Sequence, residues 1–230
     1  MSVCEETGLH LHTHARAPIL SNIESYTSMI AMMEIELGGW PARQGLHQMI
    51  FAGVFERHPK LKIVFTEQNF EWWMASAREY DSTYVNHRSQ LQSEMKRKPS
   101  EYMATNVYIG ASFIAPFEVK DAVHNGYTRN VMWGREYGHI EGIFVVTDDD
   151  NPATNPGRMS MRYAFASAPP DDISNMVGGN AIDFYKLDRT KLMKIASQIG
   201  APSLGELTTP INAIPDNGGL LAFRQVGVWA

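Results

Sequence analysis

The chain has 230 residues, of which 44% are hydrophobic and 20% charged, and its formal net charge is -5 with a pI near 5.9. This composition indicates a globular protein with a buried core, and the acidic balance argues against nucleic acid as the main partner because no basic field is present to release counterions. The single cysteine, Cys4, rules out an internal disulfide and favours a reducing, cytoplasmic compartment, and no apolar run approaches the ~20 residues that span a bilayer.

The front of the chain predicts the end of a helix followed by a strand with alternating histidines. Residues 1–15 read MSVCEETGLHLHTHA, and they show no basic and apolar segment of the kind that a signal peptide has. Leu9–Thr13 is the predicted strand. Since side chains two residues apart share a face, His10, His12 and His14 are expected on one side of the sheet. Imidazole is a common metal ligand; the alternative is a set of hydrogen-bonded structural histidines.

Three further strands alternate with helical patterns along the chain. The strands are Leu61–Thr66, Asn106–Ser112 and Asn130–Trp133, and the helices are Gln44–Arg57, Glu71–Asn86 and Ala115–Asn125. Strands that alternate with helices predict a parallel sheet with helices packed outside it. Four such strands are half of an eight-stranded (β/α) barrel.

The pattern changes after the fourth strand. Residues 145–158 form a predicted loop rich in Asp, Asn and Pro, and two helices are predicted at Pro170–Val177 and Arg189–Ile199. Residues 200–230 are expected to be an irregular tail whose apolar residues pack on the protein. The predicted organisation is therefore a half-barrel over residues 1–144, with residues 145–230 packing on the same domain.

Two strand ends carry residues that suit catalysis. Glu67 directly follows the second predicted strand, where a barrel places a ligand or general base; the alternative is a helix-capping or loop carboxylate. The fourth strand runs into Arg135, Glu136 and His139. Glu136 could bind a divalent ion or accept a proton, and Arg135 could pair with a substrate carboxylate or with Glu136 itself.

Several motifs, in order, make the chain resemble the C-terminal half of the amidohydrolase-related family, which includes aminocarboxymuconate-semialdehyde decarboxylase, related aromatic-acid decarboxylases and lactone hydrolases. The motifs are CEETGL at 4–9 followed by His12, GVFERHPKLK at 53–62, Glu67 with Trp72, Lys96 with PSEY at 99–102, WGREYGHIEG at 133–142 and GNAIDFY within 178–185.

The resemblance implies a partial TIM-type (β/α) barrel that corresponds to strands five to eight, with a helical and irregular C-terminal extension. It implies that His12 is a metal ligand, that Glu67 is a base or metal neighbour, and that Glu136 is both a metal ligand and a proton acceptor. His139 is implied to act in the same loop. His14 is a further candidate ligand, and Arg135 and Trp72 are candidate substrate-binding residues.

The chain departs from the family pattern at three positions. Glu136 stands where an aspartate is usual, Gly138 replaces a proline, and His14 replaces a glycine. The first-strand metal motif of the family has no counterpart in the sequence. We therefore expect a chain that is truncated relative to the family barrel.

The expected function is a metal-dependent hydrolase or decarboxylase, with zinc as the expected cation and a small carboxylated or cyclic compound as substrate. The alternative is a non-catalytic half-barrel or gene fragment. In either case the open sheet edges of a half-barrel favour a homo-oligomer, or a partner chain that supplies the missing strands.

Overall fold

Helices and strands alternate along the part of the chain that the computed structural model describes, which is residues 1–14, 40–112, 114–135, 153–214 and 223–224. The strands are β1 (Leu11–Thr13), β2 (Ile63–Gln68), β3 (Val107–Ala111) and β4 (Val131–Trp133). The helices of the first part are α1 (Ser2–Thr7), α2 (Trp40–Phe51), α3 (Val54–Arg57), α4 (Trp72–Asn86), α5 (Arg88–Leu91), α6 (Pro99–Asn106) and α7 (Pro116–Asn125). The later helices are α8 (Pro156–Phe165), α9 (Pro170–Ser174), α10 (Asn180–Phe184), α11 (Arg189–Gln198) and α12 (Leu204–Leu207).

The four strands form a parallel sheet in the order β1-β2-β3-β4. The register of the first pair matches Leu11 with Ile63, His12 with Val64 and Thr13 with Phe65. The expectation of an α/β fold with a four-stranded parallel sheet is confirmed, whereas the assignment to barrel strands five to eight stays a prediction. Among the described helices, none combines the length and apolar character that a membrane crossing requires.

Two compact units make up the chain, residues 1–110 and residues 111–228, so that the boundary falls within β3. The predicted boundary at residue 144 lies outside the described residues. In the first unit, the sheet presents an apolar face: Ile63, Phe65, Val107 and Ile109 are all at most 2% exposed. In β3 buried and half-buried residues alternate, as expected of a strand with one face in the core, whereas β2 is buried on both faces, since Val64 is 1% exposed.

The predicted helix at 44–57 is wrong in one respect, because it is two helices, α2 and α3. Gly53 separates them with a φ of 65°, a conformation that side chains with a Cβ disfavour. A Cβ at Gly53 would also lie 2.5 Å from the backbone oxygen of Glu94. The break therefore follows from a close approach between two chain segments, which periodicity along one segment does not reveal.

Glu5 joins α1 to the segment that precedes β2. Its carboxylate accepts a hydrogen bond from His58 Nδ1 at 3.1 Å and another from the backbone N–H of Lys60 at 2.8 Å. These hydrogen bonds, together with the nearby positive groups, lower the pKa of Glu5. The residues that carry the resemblance at 4–9 and 53–62 thus serve to position β2.

Two more motif residues in the first unit have structural roles. The Tyr102 hydroxyl donates to Glu56 and accepts from the backbone N–H groups of Lys96 and Arg97, at 3.2 and 3.3 Å. Burial and the hydrogen bond to Glu56 raise the pKa of Tyr102. Asn106, at the end of α6, donates to the Pro59 and Leu61 carbonyls at 3.0 and 2.8 Å.

The second unit begins with α7, which Pro116 opens and Gly126 ends with a φ of 75°, as its sequence predicts. The fully buried carboxylate of Glu118 accepts from the Ala115 N–H at 2.9 Å and pairs with the buried Arg224. The neighbouring Phe223, from the tail, is 2% exposed. Residues packed on it are Trp133, Met159, Tyr163, Ile211 and Ile214. The expected packing of the tail is confirmed for Phe223.

The helices after residue 153 differ from the prediction at two places. Helix α8 occupies the end of the predicted loop at 145–158, and Asn155 caps it by accepting from the Arg158 N–H at 3.1 Å. The helix predicted at 170–177 continues from α9 through a π-helical turn at Asn175–Gly179 into α10. The predicted helix at 189–199 is confirmed as α11.

Asn180 holds the start of α10 against the strand region of the same unit. Its side-chain N–H group donates to the carbonyls of Thr128 at 2.8 Å and Val131 at 2.6 Å, and Asn180 is 5% exposed. One buried amide therefore donates to two carbonyls, of which the Thr128 carbonyl also accepts from the backbone N–H of Val131. This contact accounts for the asparagine in the motif at 178–185.

We expect Asn180→Ala to lower the free energy of unfolding by about 2–3 kcal/mol, because it removes two buried hydrogen bonds and the packing of the amide. Urea denaturation followed by circular dichroism measures the change. Asn86→Ala, at an exposed position at the end of α4, is the matched control and should change stability by less than about 0.5 kcal/mol. Equal effects of the two substitutions would contradict the structural role of Asn180.

We expect Glu5→Gln to destabilise the protein at neutral pH but not in strong acid. Because the folded-state pKa of Glu5 lies below its ordinary value, the carboxylate contributes stability above the unfolded carboxyl pKa of about 4.3. That contribution is lost as the pH falls through the lowered folded-state pKa. Thermal melts of both proteins across this range test the expectation, with the exposed Glu6→Gln as control. A wild-type advantage that persists at the lowest pH would contradict it.

Candidate functional site

The pairing of β1 with β2 brings His12, which lies in β1, and His14, which follows β1, beside the carboxyl end of β2. Since partners in adjacent strands share a face, the match of His12 with Val64 places His12 on the face that Val64 and Thr66 occupy. His12 Nδ1 lies 3.4 Å from Thr66 Oγ1. The imidazole of His12 is exposed on this face, whereas His10 precedes β1 and is half-buried.

Glu67 and His14 form an ion pair next to this contact. Glu67 Oε2 lies 2.8 Å from His14 Nε2, and the two side chains are 2% and 66% exposed, respectively. Glu67 lies inside β2, which ends at Gln68, so the predicted strand end at Thr66 is two residues too early. The structure thus brings together two of the predicted site residues, His14 and Glu67, and places a third, His12, in contact with Thr66.

The backbone of Glu67 has a φ of 58°, in the left-handed region. A regular strand would point Glu67 away from the face of Thr66, and a left-handed residue departs from that alternation. For a residue with a Cβ this conformation costs of order 1–3 kcal/mol and persists only where the surrounding structure holds it, commonly at functional sites. Glu67 is therefore both buried and conformationally strained.

Thr66 is a site residue that the sequence analysis did not identify. It is the last residue of the predicted strand and shares a face with Val64, so the two-residue alternation contained the signal. Opposite Thr66, on β3, lies Gly110: a Cβ there would come within 3.4 Å of the Thr66 Cα and 3.7 Å of Val64. A glycine on the neighbouring strand leaves the face beside Thr66 open.

The imidazole and carboxylate side chains in contact at this site are of the types that bind divalent cations, but there are few of them. Imidazole nitrogen and carboxylate oxygen both ligate zinc and other first-row cations. Within the described ranges, no group of three or more His, Cys, Asp or Glu side chains could hold a metal ion. These residues fit part of a cation site.

The remaining predicted residues of the site fall into two groups. Glu136 and His139 lie outside the described residues, so their roles stay predictions. Arg135 is described, follows β4 directly and is exposed, which is compatible with its predicted contact to a substrate carboxylate.

Trp72 lies in the core at the start of α4. It is 6% exposed, its indole N–H donates to the Asn69 carbonyl at 2.8 Å, and its ring centroid is 6.0 Å from that of Phe65. The Arg43 guanidinium lies 5.0 Å from the Trp72 ring centroid. Burial lowers the pKa of Arg43 to about 10, against the opposing attraction of Tyr80 and Glu71. The contacts of Trp72 are those of a packed core residue, and its substrate role stays a prediction.

We expect Trp72→Phe to lower the free energy of unfolding by about 1–3 kcal/mol, because it deletes buried ring atoms and leaves the Asn69 carbonyl without its donor. Chemical denaturation monitored by fluorescence of the remaining tryptophans measures this loss. Trp73→Phe removes a neighbouring ring of equal size without touching the Asn69 carbonyl and serves as the control. Unchanged stability combined with lost substrate binding would instead favour the substrate role of Trp72.

Comparison with known proteins agrees with this fold. A family model described as Amidohydrolase matches residues 1–187, whereas no curated protein matches the chain significantly. Among solved structures, 5-carboxyvanillate decarboxylase from Sphingomonas paucimobilis aligns with a TM-score of 0.55 and 25% identity over 81% of this chain and 52% of its own.

Two other solved structures show the same fold at lower identity. Dihydroxybenzoic acid decarboxylase from a Polaromonas species, with bound manganese and 2-nitroresorcinol, aligns with a TM-score of 0.50 and 17% identity over 82% of this chain and 53% of its own. A manganese-bound 5-carboxyvanillate decarboxylase from Novosphingobium aromaticivorans aligns with a TM-score of 0.55 and 18% identity over 81% of this chain and 51% of its own.

This chain spans about half the length of the three solved structures, since it covers 52%, 53% and 51% of them. The resemblance that the motifs indicated is confirmed by the family model, which covers most of the chain. The match over residues 1–187 shows that this chain belongs to the amidohydrolase family.

Proposed function

We propose that this chain provides part of the active site of a metal-dependent enzyme that decarboxylates or hydrolyses a small carboxylated compound. The observation that carries the proposal is the contact of His14 with Glu67, with Nε2 and Oε2 at 2.8 Å, and of His12 with Thr66, beside the carboxyl end of β2. Catalytic groups of (β/α) barrels lie at this end of the strands. The family to which the chain belongs also supports a metal-dependent active site.

In this proposal His12, in β1, and His14, just after β1, supply nitrogen ligands, and Glu136 supplies a carboxylate. A bound divalent cation would contribute electrostatic attraction for the negative charge of the substrate. Arg135, with an exposed guanidinium just after β4, would pair with a substrate carboxylate through two parallel N–H donors. Glu67, Glu136 and His139 are the candidate groups for accepting or returning a proton.

Decarboxylation of a hydroxylated aromatic acid is the more specific form of the proposal. The similar structure at 25% identity is a decarboxylase of 5-carboxyvanillate, and two further similar structures are decarboxylases that contain manganese. These neighbours make manganese, rather than the zinc expected from the sequence, the first cation to test.

A second candidate is a half-barrel that acts only with another polypeptide segment, from a second copy or a different chain. Two observations favour it: the chain covers 52% of the similar decarboxylase, and the described residues alone contain no group of three metal-ligating side chains. On this reading the partner supplies the remaining ligands, and the isolated chain binds cations weakly.

Metal analysis of the purified chain tests the proposal. After treatment with EDTA and dialysis against Mn²⁺ or Zn²⁺, mass spectrometry of the bound metal should find about one cation per chain. His12→Ala should weaken the affinity by about 10-fold or more, whereas His124→Ala, at an exposed position near the end of α7, should leave it unchanged. Consumption of 5-carboxyvanillate, followed by liquid chromatography, then tests the activity.

The outcomes separate the two candidates. A folded wild-type chain that binds neither cation contradicts the proposal that it binds metal by itself. If the same chain elutes as a dimer in size-exclusion chromatography with light scattering, the second candidate is favoured. Equal metal content in the wild type and His12→Ala would contradict the role of His12.

A further inference from the structure

Phe223 and Arg224, from the C-terminal tail, contact the carboxyl end of β4 and the helix that follows β3. Phe223 packs against Trp133, the last residue of β4. Arg224 forms an ion pair with Glu118, in the first turn of α7. The two tail residues therefore bridge these elements at the end of the strands where (β/α) barrels carry their catalytic groups.

Three contacts hold Arg224. Its guanidinium pairs with the Glu118 carboxylate, and the two side chains are 5% and 0% exposed, respectively. The guanidinium carbon lies 5.5 Å from the centroid of the Phe117 ring, and the Arg224 carbonyl accepts from the Tyr163 hydroxyl at 3.0 Å. Because a planar guanidinium fits a carboxylate and an aromatic ring in few orientations, these contacts fix which tail residue meets α7.

The elements beside the tail have contacts of their own that do not involve it. The Glu118 carboxylate also accepts from the Ala115 N–H at 2.9 Å, which caps α7. At the start of β4, the Val131 carbonyl accepts from the Asn180 side chain at 2.6 Å. The family match ends at residue 187, so the fold that it describes does not include Phe223 or Arg224.

A buried ion pair fastens a segment without adding much to its stability. The cost of removing two charges from water offsets most of their attraction, although the pair still favours one arrangement over others. When the pair separates into solvent, Glu118 and Arg224 both regain their hydration. Such a contact favours a segment that opens locally and closes again in the same register.

We infer that Phe223 and Arg224 form a strap, fastened by the ion pair with Glu118, that opens and closes over the end of β4 while the rest of the second unit stays folded. When closed, the strap covers part of the Trp133 ring. When open, it exposes this ring two residues before Arg135, the candidate substrate-binding residue. The inference goes beyond the proposed function, since it concerns access to this end of the sheet and not the reaction.

Fluorine NMR of the chain labelled with fluorotryptophan tests the inference. The Trp133 signal is identified by its absence in Trp133→Phe, and its shift between H₂O and D₂O reports the exposure of the ring. Arg224→Met and Glu118→Gln should each increase this solvent shift, because each leaves a charge buried without the opposite charge of the pair. The signals of Trp72 and Trp73, which are 6% and 4% exposed, should stay unchanged.

A double variant and a matched control complete this experiment. Glu118→Gln combined with Arg224→Met should return the Trp133 signal toward its wild-type position, because neither charge of the pair is left to draw the strap into water. Arg189→Met breaks an exposed ion pair with Asp183 in the same unit and should leave the Trp133 signal unchanged. An unchanged Trp133 signal in the single variants, or a double variant as exposed as they are, would overturn the inference.

Hydrogen exchange followed by mass spectrometry tests whether the opening is local. In Glu118→Gln, peptides that contain Phe223 and Arg224 should exchange about 10-fold faster than in the wild type, whereas peptides from α7 should keep their rates. Equal acceleration of both, or a single variant that fails to fold, would overturn the inference, because the ion pair would then belong to the common core. Neither measurement uses a metal or a substrate, so the strap is tested separately from the proposed function.

Discussion

The pairing of β1 with β2 is the constraint on which the candidate site depends. The match of His12 with Val64 and Thr13 with Phe65 sets which side chains of β2 the histidines can reach. Because strand side chains alternate, a shift by one residue would turn His12 to the opposite face of the sheet. The register of this strand pair therefore fixes the geometry of the polar site.

The residues shared with the family motifs divide into a scaffold group and a site group. Glu5 and Tyr102 hold the segments before β2 and β3, and Asn180 anchors α10 in the second unit. Backbone carbonyl and N–H groups are costly to bury without a partner, which explains why each of these side chains makes two or more hydrogen bonds. Glu67 and His12 instead lie beside the carboxyl end of β2. Some residues of the shared motifs are therefore explained by hydrogen bonds that hold the fold, and others by their place in the candidate site.

The local patterns of the sequence predicted most elements because they depend on near neighbours. Short runs rich in β-branched and aromatic residues identified all four strands, and Pro116 with Gly126 bounded α7 as capping rules require. Predictions failed where a distant segment decided the outcome. The break at Gly53 results from the backbone of Glu94, and β2 extends to Gln68 because Glu67 accepts a left-handed backbone within the strand. The start of helix α8 was not predicted, because the Asn and Pro residues that begin this helix are also typical of loops.

The sequence by itself determined the family, the parallel α/β character and the set of candidate side chains, since these follow from motif order, alternation and residue chemistry. The tertiary structure decided which of those side chains meet. Spacing along one strand could not distinguish His12 from His14, but in the folded sheet the side chain of His12 contacts Thr66 and that of His14 contacts Glu67. Nor could composition show that Glu67 is covered while His14 is open, or that Trp72 is a core residue. Contact and burial depend on strands and helices far apart in the chain, and only the folded sheet brings those together.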